Sequence, residues 1–262
     1  MTAGTTAARA VPVEVLTDEE LAILAGPGGL VVTPYLDGQD EADPVTGDAV
    51  RRTAYRGLVA RGILEPPTPA ALAAAVGEAT VELQVREDVL SLVALRRAAQ
   101  AVVAVARTTA VTQDFWYAHV VDDVVVLEQV GHDGLHRFAL ASATELADLV
   151  VDAAVHPECG DGSGPALALD GDGSEPPLEV VEALGSALLR SDVVIRRAED
   201  DSPPLHGLFT GPDGAWVLTA DRDADAPVTA RPAPRAEVEA MLRAAVTAAV
   251  GVAPASAQGD AR

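Results

Sequence analysis

A chain of 262 residues, 49% of them hydrophobic, is long enough to bury a core as one large domain or two ordinary ones. Its formal net charge of −22, with arginine as every one of its eighteen basic residues, argues against a surface for phosphate backbones or anionic lipid. Aromatic residues make up only 3%, so small side chains, mainly Ala and Val, are expected to fill the core.

The first twelve residues are small and polar and read as a frayed end. Thr17-Asp-Glu-Glu20 has the form of a capping box, which predicts a short helix through Leu21 and Leu24 that Gly26-Pro-Gly-Gly29 ends. Leu30–Leu36 reads as extended, with Pro34 keeping it out of a sheet interior, and the acidic run Asp37–Gly47 as a loop. Val50, Ala54, Leu58 and Arg61 fall at helical spacing and Gly62 closes that helix. Thr68 is placed to cap a further helix whose first turn holds Pro69. Residues 79–86 alternate like a strand yet carry the Glu and Gln of a helix, and both readings stay open.

From Val89 to Gln100 a helix is expected, and then four strands: Ala101–Arg107, Phe115–Val121, Val124–Val130 and Leu135–Leu140, with Asp122-Asp123 as a turn. Ser142-Ala-Thr-Glu145 reads as a second capping box before a helix through Leu146, Leu149, Val150 and Ala153. The Gly, Asp and Pro content of residues 158–177 reads as a linker. Leu178–Arg190 then predicts a helix with Leu178, Val181, Leu184, Leu188 and Leu189 near one face. Asp192–Arg197 reads as a strand, Leu205–Thr210 and Ala215–Ala220 as a hairpin about Gly211-Pro-Asp-Gly214, and Val228–Arg231 as a last strand stopped by Pro232 and Pro234. A helix over Glu237–Val246 follows, and residues 253–262 form a polar, disordered tail.

The order helix, four strands, helix thus occurs twice, the second copy about ninety residues after the first. The expected fold is α+β: a pseudo-twofold repeat, residues 13–157 and 178–252, with a central antiparallel sheet flanked by helices. Pairing the two sheets would cover strand edges that otherwise aggregate.

Candidate chemistry is sparse. His132 and His136 stand four apart, as in a helical metal pair, but Asp133-Gly134 makes a turn between them and both read as turn histidines. Asp170-Gly-Asp-Gly-Ser-Glu175 begins like a calcium loop and then departs from it, with Glu175 where glycine is needed and Val181 where the bidentate Glu is needed. Gly160-Asp-Gly-Ser-Gly164 follows no strand and opens no helix, so it reads as linker. Cys159 is the single cysteine and forms no internal disulfide; with His156 nearby it lacks a rigid frame for a thiolate pair. No G-x-S-x-G occurs, and a chain without lysine has neither a Walker lysine nor a Schiff base. Neither a catalytic residue nor a metal or cofactor site is expected. No run approaches the ~20 apolar residues of a membrane span, and no signal-like apolar segment opens the chain, so a soluble cytoplasmic protein is expected.

Leu16-Thr-Asp-Glu-Glu-Leu21, Leu58-Val-Ala-Arg-Gly-Ile63, Val124-Val-Val-Leu127 ahead of Leu146-Ala-Asp-Leu-Val150, and Val228-Thr-Ala-Arg-Pro232 ahead of a helix together resemble the EspG family of ESX (type VII) secretion-associated chaperones. The resemblance covers most of residues 13 to 250. It implies a quasi-twofold α+β fold and a cytosolic non-enzyme that shields the apolar tip of a helical, PPE-type secretion substrate. Trp216-Val-Leu-Thr-Ala-Asp-Arg222 departs from the aromatic and Gly-Arg features of that family's last hairpin.

Candidate partner-binding residues are Val124, Val125, Leu127, Leu205, Phe209 and Trp216, since hairpins on a rigid sheet carry apolar anchors. Alternation along Phe115-Trp-Tyr117 predicts Phe115 and Tyr117 on one face and Trp116 on the other. Two other readings are kept: a transcriptional regulator using Tyr55–Leu64, which has the flavour of a winged-helix segment without its basic recognition helix, and an enzyme built on scattered carboxylates.

Overall fold

The computed structural model of the protein describes residues 10–25, 31–34, 44–74, 83–169, 178–197, 200, 203–219 and 228–251. Strand β1 (Val11–Thr17) runs directly into helix α1 (Asp18–Ala25), followed by α2 (Pro44–Ala60). The short strands β2 (Leu64–Glu65) and β3 (Gln84–Val85) pair with each other, with α3 (Pro69–Ala74) between them and α4 (Glu87–Arg97) after them. Four strands follow, β4 (Ala101–Thr108), β5 (Gln113–Val121), β6 (Val124–Val130) and β7 (Leu135–Ser142), and then a 3-10 turn at Ala143–Glu145 and α5 (Leu146–Ala154). The chain continues through β8 (Leu167–Leu169), α6 (Leu178–Gly185), β9 (Leu189–Arg197), β10 (Leu205–Gly211), β11 (Gly214–Thr219), β12 (Val228–Ala233) and α7 (Arg235–Val250).

Ten of these strands form one antiparallel sheet in the order β1-β7-β6-β5-β4-β9-β10-β11-β12-β8. The fold is therefore α+β, as expected. β4 alternates between buried and half-buried residues, so Ala101, Val103 and Val105 enter the core on one face together with Val193 and Ile195 of β9. Helices α5 and α7 pack on each other and on that face. The opposite face of β5 to β7 lies under α1, α2 and α4, where Val126 and Phe138 meet Leu16, Leu21, Leu58 and Leu92. Among the described residues no helix is long and apolar enough to cross a membrane.

Local signals place most of these elements. Thr17 accepts the Glu20 amide at 3.2 Å while the Glu20 carboxylate takes the Thr17 amide at 3.1 Å, a reciprocal capping box. Thr68 accepts the Ala71 amide at 3.2 Å. At the β5–β6 turn Asp122 adopts a φ of 50°, which Asp tolerates better than most residues.

Several expectations are corrected. The terminus predicted to fray through residue 12 is paired from Val11, which lies opposite Leu140. Residues 31–34 form no strand; the Val32 amide donates instead to the Tyr117 hydroxyl at 3.2 Å. α2 begins at Pro44, inside the expected loop, since proline is at home in a first helical turn. Ser142 accepts the Thr144 amide in a 3-10 turn, without the reciprocal bond from Glu145. Of residues 79–86, Gln84–Val85 is strand. The helix expected to reach Arg190 stops at Gly185, because Leu189, Arg190 and Ser191 pair with Thr210, Phe209 and Leu208. β12 continues through Pro232, beyond the reach of β8, which pairs only with Val228–Ala230.

The run expected as a linker contains an edge strand, β8, and a strap that crosses the β10–β11 hairpin. The Gly160 amide donates to the Gly211 carbonyl and the Gly162 amide to the Ala233 carbonyl, both at 2.9 Å. A Cβ on Gly162 would lie 2.0 Å from the Ala215 carbonyl oxygen, so only glycine fits that backbone approach. Asp161, between them, accepts the Arg235 amide at 2.8 Å and caps α7 from 74 residues away. Replacing Gly162 with Ala is expected to cost about 3 kcal/mol in urea unfolding, whereas Gly185→Ala, with open space around it, should gain about 0.5 kcal/mol.

Candidate partner surface and a buried ionic network

The sheet sorts the six candidate partner residues by parity. Val125 and Leu127 point into the core beneath α5 and are buried, whereas Val124, at the start of β6, is 38% exposed. Phe209 of β10 lies directly opposite Trp216 of β11, and Leu205 shares their face. Trp216 is buried, Phe209 is half-buried and Leu205 is 59% exposed. The guanidinium of Arg190, on the neighbouring strand, sits 5.7 Å from the Phe209 ring centre and is itself held at 3.0 Å by Asp192. Thus Phe209 and Trp216 are brought together, Leu205 shares their face four residues along the strand, Val124 stands on β6, and two are core.

Helix α6 carries further exposed apolar side chains. Leu178 and Val181, which the helical period places on one side, remain 70% and 49% exposed, and Leu188 just beyond the helix is also exposed. Their apolar pattern is visible in the sequence; what hides their exposure is that the same pattern normally marks a buried face. Large exposed side chains of this kind mark interaction surfaces when they gather on one part of a molecule.

Phe115 and Tyr117 share one face, their rings stacked at 6.5 Å, and Trp116 enters the core from the other, as alternation predicts. The Tyr55–Leu64 segment closes α2 and reaches β2, but Arg61 is occupied there, bonding Glu20 at 2.7 Å, Glu14 at 2.6 Å and the Val15 carbonyl at 2.6 Å.

The expected reading of His136 is corrected. It is not a turn residue: it stands on β7, fully buried, while His132 remains in the turn before it. Its Nδ1 lies 2.6 Å from Glu128 Oε1 and its Nε2 2.6 Å from Asp18 Oδ1. Glu128 also accepts from His119 Nε2 and Arg96 Nε, both at 2.8 Å. Burial by itself would raise the Glu128 pKa, but the hydrogen bonds from His119 and His136 and the charge of Arg96 outweigh it and hold the carboxyl well below the usual carboxylate range. Alternation along β5 and β6 could have placed His119 and Glu128 on a covered face; nothing local in sequence links either to Asp18.

With Asp18, Glu128 and His136 fully buried, the network is closed to substrate. Among the described residues no group of three or more His, Cys, Asp or Glu side chains is arranged to hold a metal ion. Cys159 is buried in the core, where burial pushes its thiol pKa up, and the His156 ring faces the Glu158 amide instead. The calcium-loop-like residues 170–175 lie outside the described residues.

Glu128→Gln is expected to destabilise the protein by about 3–5 kcal/mol, because Arg96 would keep its buried charge without a counter-ion. The sign with pH follows from the lowered pKa: the wild-type contribution is fully present above the ordinary value of 4.5 and is lost as pH falls toward the lowered one, so thermal unfolding of wild type and E128Q should converge in acid.

No protein-family model matches the chain, and no curated protein matches its sequence. Among solved structures the chain is similar to the Mycobacterium tuberculosis type VII secretion system chaperone EspG5, determined in complex with a PE25-PPE41 dimer. The match has 14% identity and a TM-score of 0.49, and covers 92% of this chain and 96% of the other.

Proposed function

We propose that the protein is a non-enzymatic cytosolic binding protein, a type VII secretion-associated chaperone that shields the apolar end of a helical, PPE-type secreted protein. The observation that carries this reading is the number of exposed aliphatic side chains in the second half of the chain, Leu178, Val181, Leu188 and Leu205, with Phe209 half-buried. A folded domain that leaves this much aliphatic surface uncovered gains from a partner able to cover it. The sequence resemblance supplies the partner class.

Residues 13–157 and 178–252 are read as two halves of a pseudo-twofold pair. The strand order supports that reading: β4 meets β9 at the centre, each four-strand run extends outward, and one further strand, β1 or β8, lies beyond the last strand of each run. Leu205, Phe209 and Trp216 are the proposed anchors, with Val124 as a further contact.

Titration calorimetry of the purified chain with a purified PE–PPE heterodimer tests the reading. Val181→Asp and Leu205→Asp should each weaken binding at least about tenfold, ~1.4 kcal/mol, because a charge is then desolvated at the contact. Absence of binding by the wild-type chain to any such heterodimer, or wild-type affinity in both variants, would overturn it.

A further inference from the structure

The edge of the sheet at β1 stands apart from the proposed partner surface. Among the described residues β1 is the last strand on its side and pairs only with β7. Alternate residues of an antiparallel strand direct their N–H and C=O groups to opposite sides, so every second residue of an edge strand offers both groups to a further strand. On β1 those groups are already taken. The Val15 amide donates to Glu14 Oε1 at 2.9 Å, and the Val15 carbonyl accepts from Arg61 Nη2 at 2.6 Å. Two residues on, the Thr17 amide donates to Glu20 Oε2 at 3.1 Å.

The side chains that fill these positions also hold one another. Arg61, just after α2, bonds Glu14 at 2.6 Å and Glu20 at 2.7 Å, while Arg86, ahead of α4, pairs with both Glu14 and Asp88. Upstream, Pro12 has no N–H to give and the register slips between Pro12 and Glu14, two features that discourage pairing along an edge. Neither acts at Val15, a β-branched residue that is 40% exposed. There the only cover is the pair of charged side chains.

We propose that Glu14 and Arg61 form an autoinhibitory clamp that occupies both strand-addition groups of Val15 and so keeps a second copy of this chain from pairing along β1. Two copies related by a twofold axis would meet antiparallel at Val15, each amide donating to the other's carbonyl. Glu14 blocks the donor and Arg61 blocks the acceptor. Loss of Glu14 alone frees amides that find every Val15 carbonyl covered, and loss of Arg61 alone frees carbonyls that find every amide covered. The clamp therefore opens only when both are lost.

Sedimentation equilibrium of the full-length chain tests this. Glu14→Ala and Arg61→Ala should each self-associate no more tightly than wild type, whereas the double variant should do so at least about tenfold more tightly. Arg86→Ala, which takes an ion pair from Glu14 but leaves both Val15 groups covered, should behave as wild type. Hydrogen exchange should find the Val15 amide protected in the associated double variant. A folded double variant that associates no more than wild type, or one that associates with its Val15 amide unprotected, would overturn the clamp. If the double variant fails to fold, E14A carries the test, since Arg61 keeps its bond to Glu20 there. Its Val15 amide should exchange at least about tenfold faster than in wild type, with the Thr17 amide unchanged, and an unchanged Val15 rate would equally overturn the proposal.

Discussion

The antiparallel ladder between β4 and β9 is the join on which the molecule depends. Eight residue pairs, from Ala101 with Arg197 to Thr108 with Arg190, unite the strands of residues 101–142 with those of 189–233. Each set alone would present a long unpaired edge of β-branched residues, a template for aggregation. The join also creates the broad floor, Val103, Val105, Val193 and Ile195, on which α5 and α7 pack. It lies between segments far apart in the chain, so its loop-closure entropy must be recovered by burial along its whole length.

The two faces of that sheet are closed by different chemistry. Under α5 and α7 the interface consists mainly of small aliphatic side chains, in keeping with a chain that has few aromatics. Under α1, α2 and α4 a similar aliphatic layer surrounds a buried network of two carboxylates, two imidazoles and a guanidinium. Such a network gives little net stability once desolvation is counted, yet it is costly to mispair. It therefore selects one seating of the N-terminal layer among the many that an aliphatic surface alone would tolerate.

On the second half of the chain the balance shifts toward exposure. The strap through Gly160 and Gly162 binds the β10–β11 hairpin by backbone contact, and Asp161 caps α7, so this region is rigidly framed. Against that frame α6 is short and keeps Leu178 and Val181 in solvent.

Much of the architecture was legible in the chain. Thr17 and Thr68 announced helix starts, runs of β-branched and apolar residues placed β4 to β7, and Gly211-Pro-Asp-Gly214 marked the hairpin, because each of these signals acts over a few residues. Of the candidate site, Leu205, Phe209 and Trp216 could be named, but the register of β10 with β11 decided that they share a face. The burial of Val125 and Leu127 could not be read, since either face of an apolar strand looks alike until a helix is laid on one of them.

What the sequence by itself determined was therefore the α+β class, the order of strands in each run and an acidic, arginine-only surface. Tertiary structure decided the rest: that β1 and β8 add to the sheet, that α6 yields its last turn to β9, that Gly160 and Gly162 are points of backbone contact, and that His136 bridges two buried carboxylates. The reason is common to all four. Each depends on a partner distant in sequence, as with Asp18 and His136, 118 residues apart, and local propensity carries no information about which distant group will be brought within hydrogen-bond reach.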